Sequence, residues 1–188
     1  MSILFKINTD QSNNHKLNVD NLGNAKLSAI EYQSGLSGTR YVGYHGDDPA
    51  WFETATPHGD TNTLTSIDNF SSSPNFSSED YYSWQWLGYF KPSTSEVYTF
   101  YTSSDDGSYL WVGEDANNPT TGNALVNNGG GHPPQEISGT ISLMANTYYP
   151  IRIQFGEMGG GDIMIVSFSS NTISKTTNGS GYYFHQLV

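Results

Sequence analysis

Cysteine is absent from the 188-residue chain, so disulfides, thiolate metal sites and thiol nucleophiles are excluded. Positive charge is nearly as scarce. Seven Lys and Arg stand against eighteen Asp and Glu, a formal −11 at pH 7. Affinity for nucleic acid rests on clustered Lys and Arg, so no nucleic-acid partner is expected. Anionic lipid surfaces are set aside for the same reason. No apolar run approaches the length of a membrane span, so no membrane insertion is expected either. The first thirteen residues carry only Ile3, Leu4, Phe5 and Ile7 as bulky apolar side chains. They lack a basic region and a cleavage site and do not read as a signal peptide. A role outside the cell or at its surface therefore requires that signal and anchor lie elsewhere, and that the chain is a module of a larger polypeptide. Helical periodicity is missing too, since no segment of a dozen residues carries a capped 3.6-residue period.

What the chain does have is aromatic side chains, glycine and short alternating segments. Aromatics make up 14%, with thirteen Tyr and four Trp, beside twenty Gly and eight Pro. Gly35–Tyr44 reads as a strand punctuated by glycine. Tyr82, Trp84 and Trp86 alternate, as do Tyr98 with Phe100, Leu110 with Val112, and Ile151, Ile153 with Phe155. That period of two is the signature of strands with one buried face. Further strands are expected around Ala124–Val126, Ile137–Leu143 and Ile163–Phe168, and one or two edge strands within residues 1–30. Residues 53–80 are poor in apolar side chains and read as a surface loop, with at most a short helix near Thr65–Phe70. Asp47-Asp48-Pro49 reads as a turn. Short strands between turn signals, with no repeat and no linker, give an all-β fold, a sandwich or barrel, as a single domain over residues 1–188.

One stretch stands apart electrostatically. Asp105-Asp106-Gly107 separates two alternating segments, and no Lys or Arg occurs from Val97 to Val126. Two adjacent unpaired carboxylates repel each other, and a hard cation is the partner that would relieve them. Catalysis finds little support. Two carboxyls this close and this alike do not suit the division of labour in glycoside hydrolysis. There is no nucleophile elbow, phosphate loop or zinc spacing. The five His are scattered and read as structural or exposed, with His132, beside Gly129–Gly131, the one worth watching.

Taken in order, the motifs resemble those of the PA14 domain. They are Gly35-Leu-Ser-Gly38 with Tyr41, Trp86-Leu-Gly88 with Pro92, Tyr98 and Phe100, Ser104-Asp-Asp-Gly107 with Leu110-Trp-Val112, Val126-Asn-Asn-Gly129, Ile141-Ser-Leu143, and Tyr149-Pro-Ile-Arg-Ile153. The match runs over about residues 30–170 and implies a PA14-type β-sandwich. The chain is most similar to the calcium-dependent lectin branch, typified by yeast flocculins and epithelial adhesins with counterparts in bacterial surface adhesins. In that branch paired aspartates joined by a cis peptide hold Ca²⁺, and the ion holds a sugar by its hydroxyls. Asp105 and Asp106 match those positions. The yeast members complete the site with an Asn, where this chain has Gly156-Glu-Met-Gly-Gly-Gly-Asp162. The cysteines of the yeast members are missing, which favours a bacterial module.

Physical chemistry adds detail to the resemblance. A cis bond between two non-proline residues costs about 2.5–4 kcal/mol, so metal coordination would have to offset it. Ca²⁺ takes six to eight oxygens in flexible geometry, whereas Mg²⁺ holds its waters more tightly. Gly159, Gly160 and Gly161 can turn carbonyls inward, and Asp162 can add a further carboxylate. Positions left to water would accept a vicinal diol. The expected metal ligands are thus Asp105, Asp106, Gly159, Gly160, Gly161 and Asp162. Around the sugar, Asp105, Asp106 and Asp162 would be joined by Gln154 and Glu157. Trp84, Trp86 and Trp111 read as core or sheet-face packing. Three functions remain. They are a Ca²⁺-dependent lectin module of a cell-surface adhesin that binds neutral glycans, a carbohydrate-targeting module of a secreted glycosidase, and a structural or protein-interaction PA14 spacer.

Overall fold

A computed structural model describes residues 17–19, 25–27, 30–69 and 79–187. Thirteen strands occur among these residues: β1 Leu17–Val19, β2 Ala25–Leu27, β3 Tyr32–Ser34, β4 Leu36–Val42, β5 Pro57–Leu64, β6 Tyr82–Phe90, β7 Glu96–Asp105, β8 Ser108–Val112, β9 Val126–Asn128, β10 Gln135–Leu143, β11 Tyr149–Glu157, β12 Ile163–Ser169 and β13 Tyr183–Gln186. Two short 3-10 turns, Pro49–Glu53 and Gly113–Ala116, are the helical elements among the described residues.

Two antiparallel sheets face each other. The smaller has the order β10-β7-β12. The larger runs β3-β13-β6-β11-β8-β9, with β4 paired to β6 and β5 to β4. The expected all-β sandwich is therefore present. Strands β1 and β2 pair only with each other, so the edge strands foreseen in the first thirty residues form a separate ribbon. The remaining expectations for residues 1–30 lie outside the described residues.

The alternation seen in the sequence decides which faces meet. Trp84, Trp86 and Phe90 of β6, Tyr98 and Phe100 of β7, Leu110 of β8, Ile153 and Phe155 of β11, and Met164, Val166 and Phe168 of β12 close one continuous core. Phe90 sits at its aromatic centre, with ring centroids 4.9 Å from Phe100, 5.1 Å from Phe168 and 5.4 Å from Tyr98, all near-perpendicular. Such edge-to-face pairs add to the burial of their large surfaces. Trp111, one residue out of phase with Leu110 and Val112, points to the other side of the large sheet. There it stacks on Tyr109 at 5.7 Å and packs with Ala116.

Two expectations need correction. Residues 57–64, read as loop, form β5, which pairs Leu36↔Leu64 through Thr39↔Thr61 with β4. Its residues are polar because it is an edge strand, exposed along most of its length, with Pro57 at its first position. The helix expected near Thr65–Phe70 is also absent over residues 65–69. Instead Asp68 bridges to Ile165, and Ile67 joins the core. Residues 70–78 lie outside the described residues.

Phe90→Ala should cost about 3–5 kcal/mol, because it empties the centre of the aromatic cluster. A fall in the denaturant midpoint with unchanged slope checks this; a midpoint shift within error would place the core elsewhere.

Candidate functional site

Strands β7 and β8 belong to different sheets. The Asp105-Asp106-Gly107 turn is therefore not a hairpin but a corner where the chain crosses from one face of the sandwich to the other. Gly107 is required there by close approach. A Cβ on it would meet the Tyr44 hydroxyl at 2.9 Å and Asp47 Oδ1 at 3.2 Å. The Gly107 carbonyl accepts from the Gly156 amide at 2.9 Å, which pins the corner to β11.

The two aspartates do different things. Asp106 is buried and acts as a staple. Its Oδ1 accepts from the His132 amide at 3.0 Å and its Oδ2 from the Met158 amide at 2.8 Å. One carboxylate thus joins the glycine-rich loop before β10 to the loop between β11 and β12. Charge-assisted bonds of this kind are about twice as strong as neutral ones. Asp105 ends β7 opposite Ile163 and keeps its carboxylate beside Gly161, where a Cβ would lie 3.3 Å from Oδ2.

The peptide joining them is trans, since no cis bond occurs among the described residues. This corrects the cis geometry that the resemblance implied. The corner closes without it because the crossover itself turns Asp106 inward while Asp105 stays at the strand end. Beneath the corner the core changes from aromatic to hydroxyl-bearing. Ser108 bonds to Ser104 at 2.7 Å and Thr102 at 3.0 Å, and Asn128 Nδ2 donates to Ser104 at 3.0 Å.

The third carboxylate is Glu157, and its position is a second correction. It was expected at the sugar but is completely buried at the end of β11. Its Oε1 accepts from the Gly159 amide at 2.6 Å, while its Oε2 is buried with no partner. Burial, followed by repulsion from Asp106, Asp162 and Asp105, pushes the Glu157 carboxyl up to about 8, against the opposing Gly159 bond. Asp162 is raised by burial and by the Asp80 and Asp105 charges, although contact with Tyr82 works the other way. Asp105 is raised by burial and by Asp106, with His132 opposing. None of these carboxylates takes part in a salt bridge among the described residues.

Gln154 is the third correction. Its alternation with Ile153 and Phe155 does put it on the outer face of the large sheet. That face is covered, however, and Gln154 is fully buried. Its amide donates to Gln85 Oε1 at 2.9 Å and to the Pro49 carbonyl at 3.2 Å, so it is not available to a sugar. Gly159, Gly160, Gly161 and Asp162 do reach the corner. Gly159 and Gly160 hold φ of 149° and 114°, values that side chains rarely allow, which accounts for the glycine run.

Asp47, read from the sequence as part of a turn, has a further role in the structure. It adopts φ 59° in its turn. Its Oδ1 accepts from the Tyr109 hydroxyl and the Gly130 amide, both at 2.9 Å. Asp47 and Asp106 therefore hold the 129–132 loop at two amides two residues apart. The signal available was the Asp-Asp-Pro triplet itself, which a turn explained equally well.

A cation fits the donors present in kind. The corner offers carboxylate and carbonyl oxygens, a buried carboxylate oxygen without a partner, and carboxyls raised by burial and by neighbouring carboxylates. Among the described residues no three His, Cys, Asp or Glu side chains converge as a ligand set on their own. Any ion would thus draw on backbone carbonyls and external oxygens as well.

Comparison with known proteins bears on the fold and on part of the function. Residues 82–171 match the GLEYA domain family, which is PA14-like, so the resemblance drawn from the sequence holds. Solved structures with the same fold include the epithelial adhesin 6 A domain from Candida glabrata in complex with Galβ1-3GlcNAc. Its TM-score is 0.63 at 18% identity, over 82% of this chain and 88% of that one. The PA14 sugar-binding domain from an RTX adhesin has a TM-score of 0.61 at 16% identity, over 81% and 98%. An anti-sigma factor domain-containing protein gives 0.65 at 24% identity, over 83% of this chain and 50% of that one. Among curated proteins, the anti-sigma-I factor RsgI3 of Acetivibrio thermocellus is 36% identical over 77 residues, 41% of this chain and 11% of that protein. The chain thus spans about half or less of the anti-sigma proteins it matches. Together these likenesses show the PA14-like fold. No helix among the described residues is long and apolar enough to cross a membrane.

The raised carboxyls carry a pH dependence. In the absence of divalent cations, folded Glu157 retains its proton up to about 8, whereas the unfolded group loses it near the ordinary carboxylate value. The folded state binds more protons across that window, so stability is full below it and falls as pH rises toward 8. Melting in chelator from pH 5 to 8 should show this decline, and Glu157→Gln should flatten it. A flat wild-type profile would contradict the buried carboxylate.

Proposed function

We propose that this domain is a Ca²⁺-dependent lectin module, presented outside the cell by a larger surface or secreted protein, that binds neutral glycans through vicinal hydroxyls. The observation that carries this reading is the acidic corner. Burial and neighbouring carboxylates raise the affinity of Asp105, Glu157 and Asp162 for protons, Glu157 Oε2 is buried without a partner, and no ion pair among the described residues relieves them. Asp105 and Asp162 would hold the ion from the two loops, with carbonyls of Gly159, Gly160 and Gly161 and the second lone pairs of Asp106. Glu157 would neutralise it from beneath. When bound, the ion supplies exchangeable positions at which two sugar hydroxyls replace water. The PA14 neighbours solved in complex with a sugar or known as sugar-binding domains support the same class of ligand.

A second reading is favoured by the match to an anti-sigma-I factor. In it the fold is a structural or protein-interaction PA14 module, and the corner binds Ca²⁺ for stability or not at all. The two separate on one experiment. A glycan array probed in calcium and in chelator should give calcium-dependent signal on neutral sugars. If no glycan binds in calcium, the lectin reading is lost.

Asp105→Asn is the sharper variant, because Asp105 makes none of the loop-joining bonds that Asp106 makes. We expect it to keep the fold and lose both the calcium-induced rise in melting temperature and the glycan signal. Asp106→Asn should in addition cost about 1–3 kcal/mol, by leaving buried amides poorly paired. Glycan binding retained by Asp105→Asn would remove the ion from the mechanism.

A further inference from the structure

Beside the acidic corner lies a groove lined by Arg40, Val42, His58, Asp80, Tyr81 and Tyr82. Two contacts make it continuous with the corner. Asp80 Oδ1 accepts from the Gly160 amide at 3.4 Å, and the Tyr82 phenol, held protonated by burial first and then by the Asp162 charge, lies against Asp162. Residues that close the corner on one side thus wall the groove on the other.

Its most unusual member is Tyr81. The ring is 65% exposed, while the backbone holds φ 60°. That left-handed conformation is uncommon for a bulky residue and is taken more readily by Gly, Asn or Asp. It is locked here, because the Gly43 amide donates to the Tyr81 carbonyl at 3.0 Å. Neighbouring Val42 is also exposed. A strained position that spends its side chain on solvent, at the lip of a groove, is where a ligand contact is to be sought.

Beneath the lip the groove is polar and fixed. Arg40 is 3% exposed, with its guanidinium over the Tyr82 ring at 4.7 Å. It bonds Glu79 at 2.7 Å and Asp60 at 3.3 Å, and its Nε is buried without a partner. His58 Nδ1 lies 3.0 Å from the same Asp60 carboxylate. Arg40 is therefore neutralised by two carboxylates, and Asp80 and Asp162 leave the surroundings net negative. Such a groove disfavours uronic or sulfated sugars. It suits a neutral ring, with one face on an aromatic side chain and hydroxyls on carboxylates.

We propose that this groove is a second glycan subsite. It holds the next ring of a neutral oligosaccharide, whose first ring occupies the corner, with Tyr81 as its stacking platform. The inference rests on the lectin reading, and the test keeps the two apart. Galactose, glucose and mannose, and their neutral di- and trisaccharides, are titrated in calcium and in chelator against wild type, Tyr81→Ala and Tyr81→Phe. Wild type should bind the best oligosaccharide about tenfold more tightly than its matching monosaccharide. Tyr81→Ala should lose that gain with the monosaccharide constant unchanged, and Tyr81→Phe should keep it. Equal affinity for mono- and oligosaccharides, or a gain that survives Tyr81→Ala, would overturn the subsite while leaving the lectin reading intact. No binding of any of these sugars would overturn both. Tyr81-dependent oligosaccharide binding that persists in chelator would uphold the groove and sink the role of the cation.

Discussion

The Asp106 carboxylate is the interaction on which the arrangement of the site depends. A buried carboxylate must be satisfied, and this one is satisfied by amides of two loops far apart in sequence, at His132 and Met158. Because Asp106 lies at the corner where β7 gives way to β8, both loops are referenced to the junction of the two sheets. Asp47 adds a second hold on the first loop through Gly130. The corner is thus positioned from the junction of the two sheets, and the Gly159 and Gly160 amides are held in turn by Glu157 and Asp80.

The same crossover concentrates charge. Asp105, Glu157 and Asp162 are carried by β7, β11 and the loop before β12, and the sandwich has too few cations to pair them. The chain's Arg40 is engaged on the groove side, by Asp60 and Glu79. Left alone, the corner is a source of instability, and a protein that keeps such a feature needs a partner for it. In the proposed function a hard cation would be that partner, and a glycan hydroxyl pair the external ligand such an ion would take.

Much of this was legible in the sequence because alternation with aromatic residues is hard to misread. Tyr82-Trp84-Trp86, Tyr98-Phe100 and Ile151-Ile153-Phe155 fell on the strands and the face expected. Asp105-Asp106-Gly107 and Gly159–Asp162 also came together, although sequence alone could not show that the turn joins two sheets. What sequence missed has physical causes. Strand β5 is built of polar residues because edge strands need no apolar face. Gln154 falls on the outer face by alternation, but the Pro49–Glu53 turn covers it, whereas Glu157 continues the inward phase of Ile151, Ile153 and Phe155, a signal its charge concealed. The two aspartates were read as equivalent, and the corner gives one an inward structural bond and leaves the other at the rim. Asp47 reads as a turn residue in the sequence, and its hold on the 129–132 loop is not legible there because Tyr109 and Gly130 reach it only in the folded sheet.

If the corner takes up a cation, it must give up protons to do so. Calcium titration by calorimetry at pH 7, in buffers of different ionisation enthalpy, measures this directly, because a metal that displaces protons makes the observed heat depend on the buffer. With Glu157 protonated up to about 8, calcium should bind to a single class of sites with proton release, and the release should vanish in Glu157→Gln. Absence of calcium binding, or binding with no buffer dependence, would contradict the account.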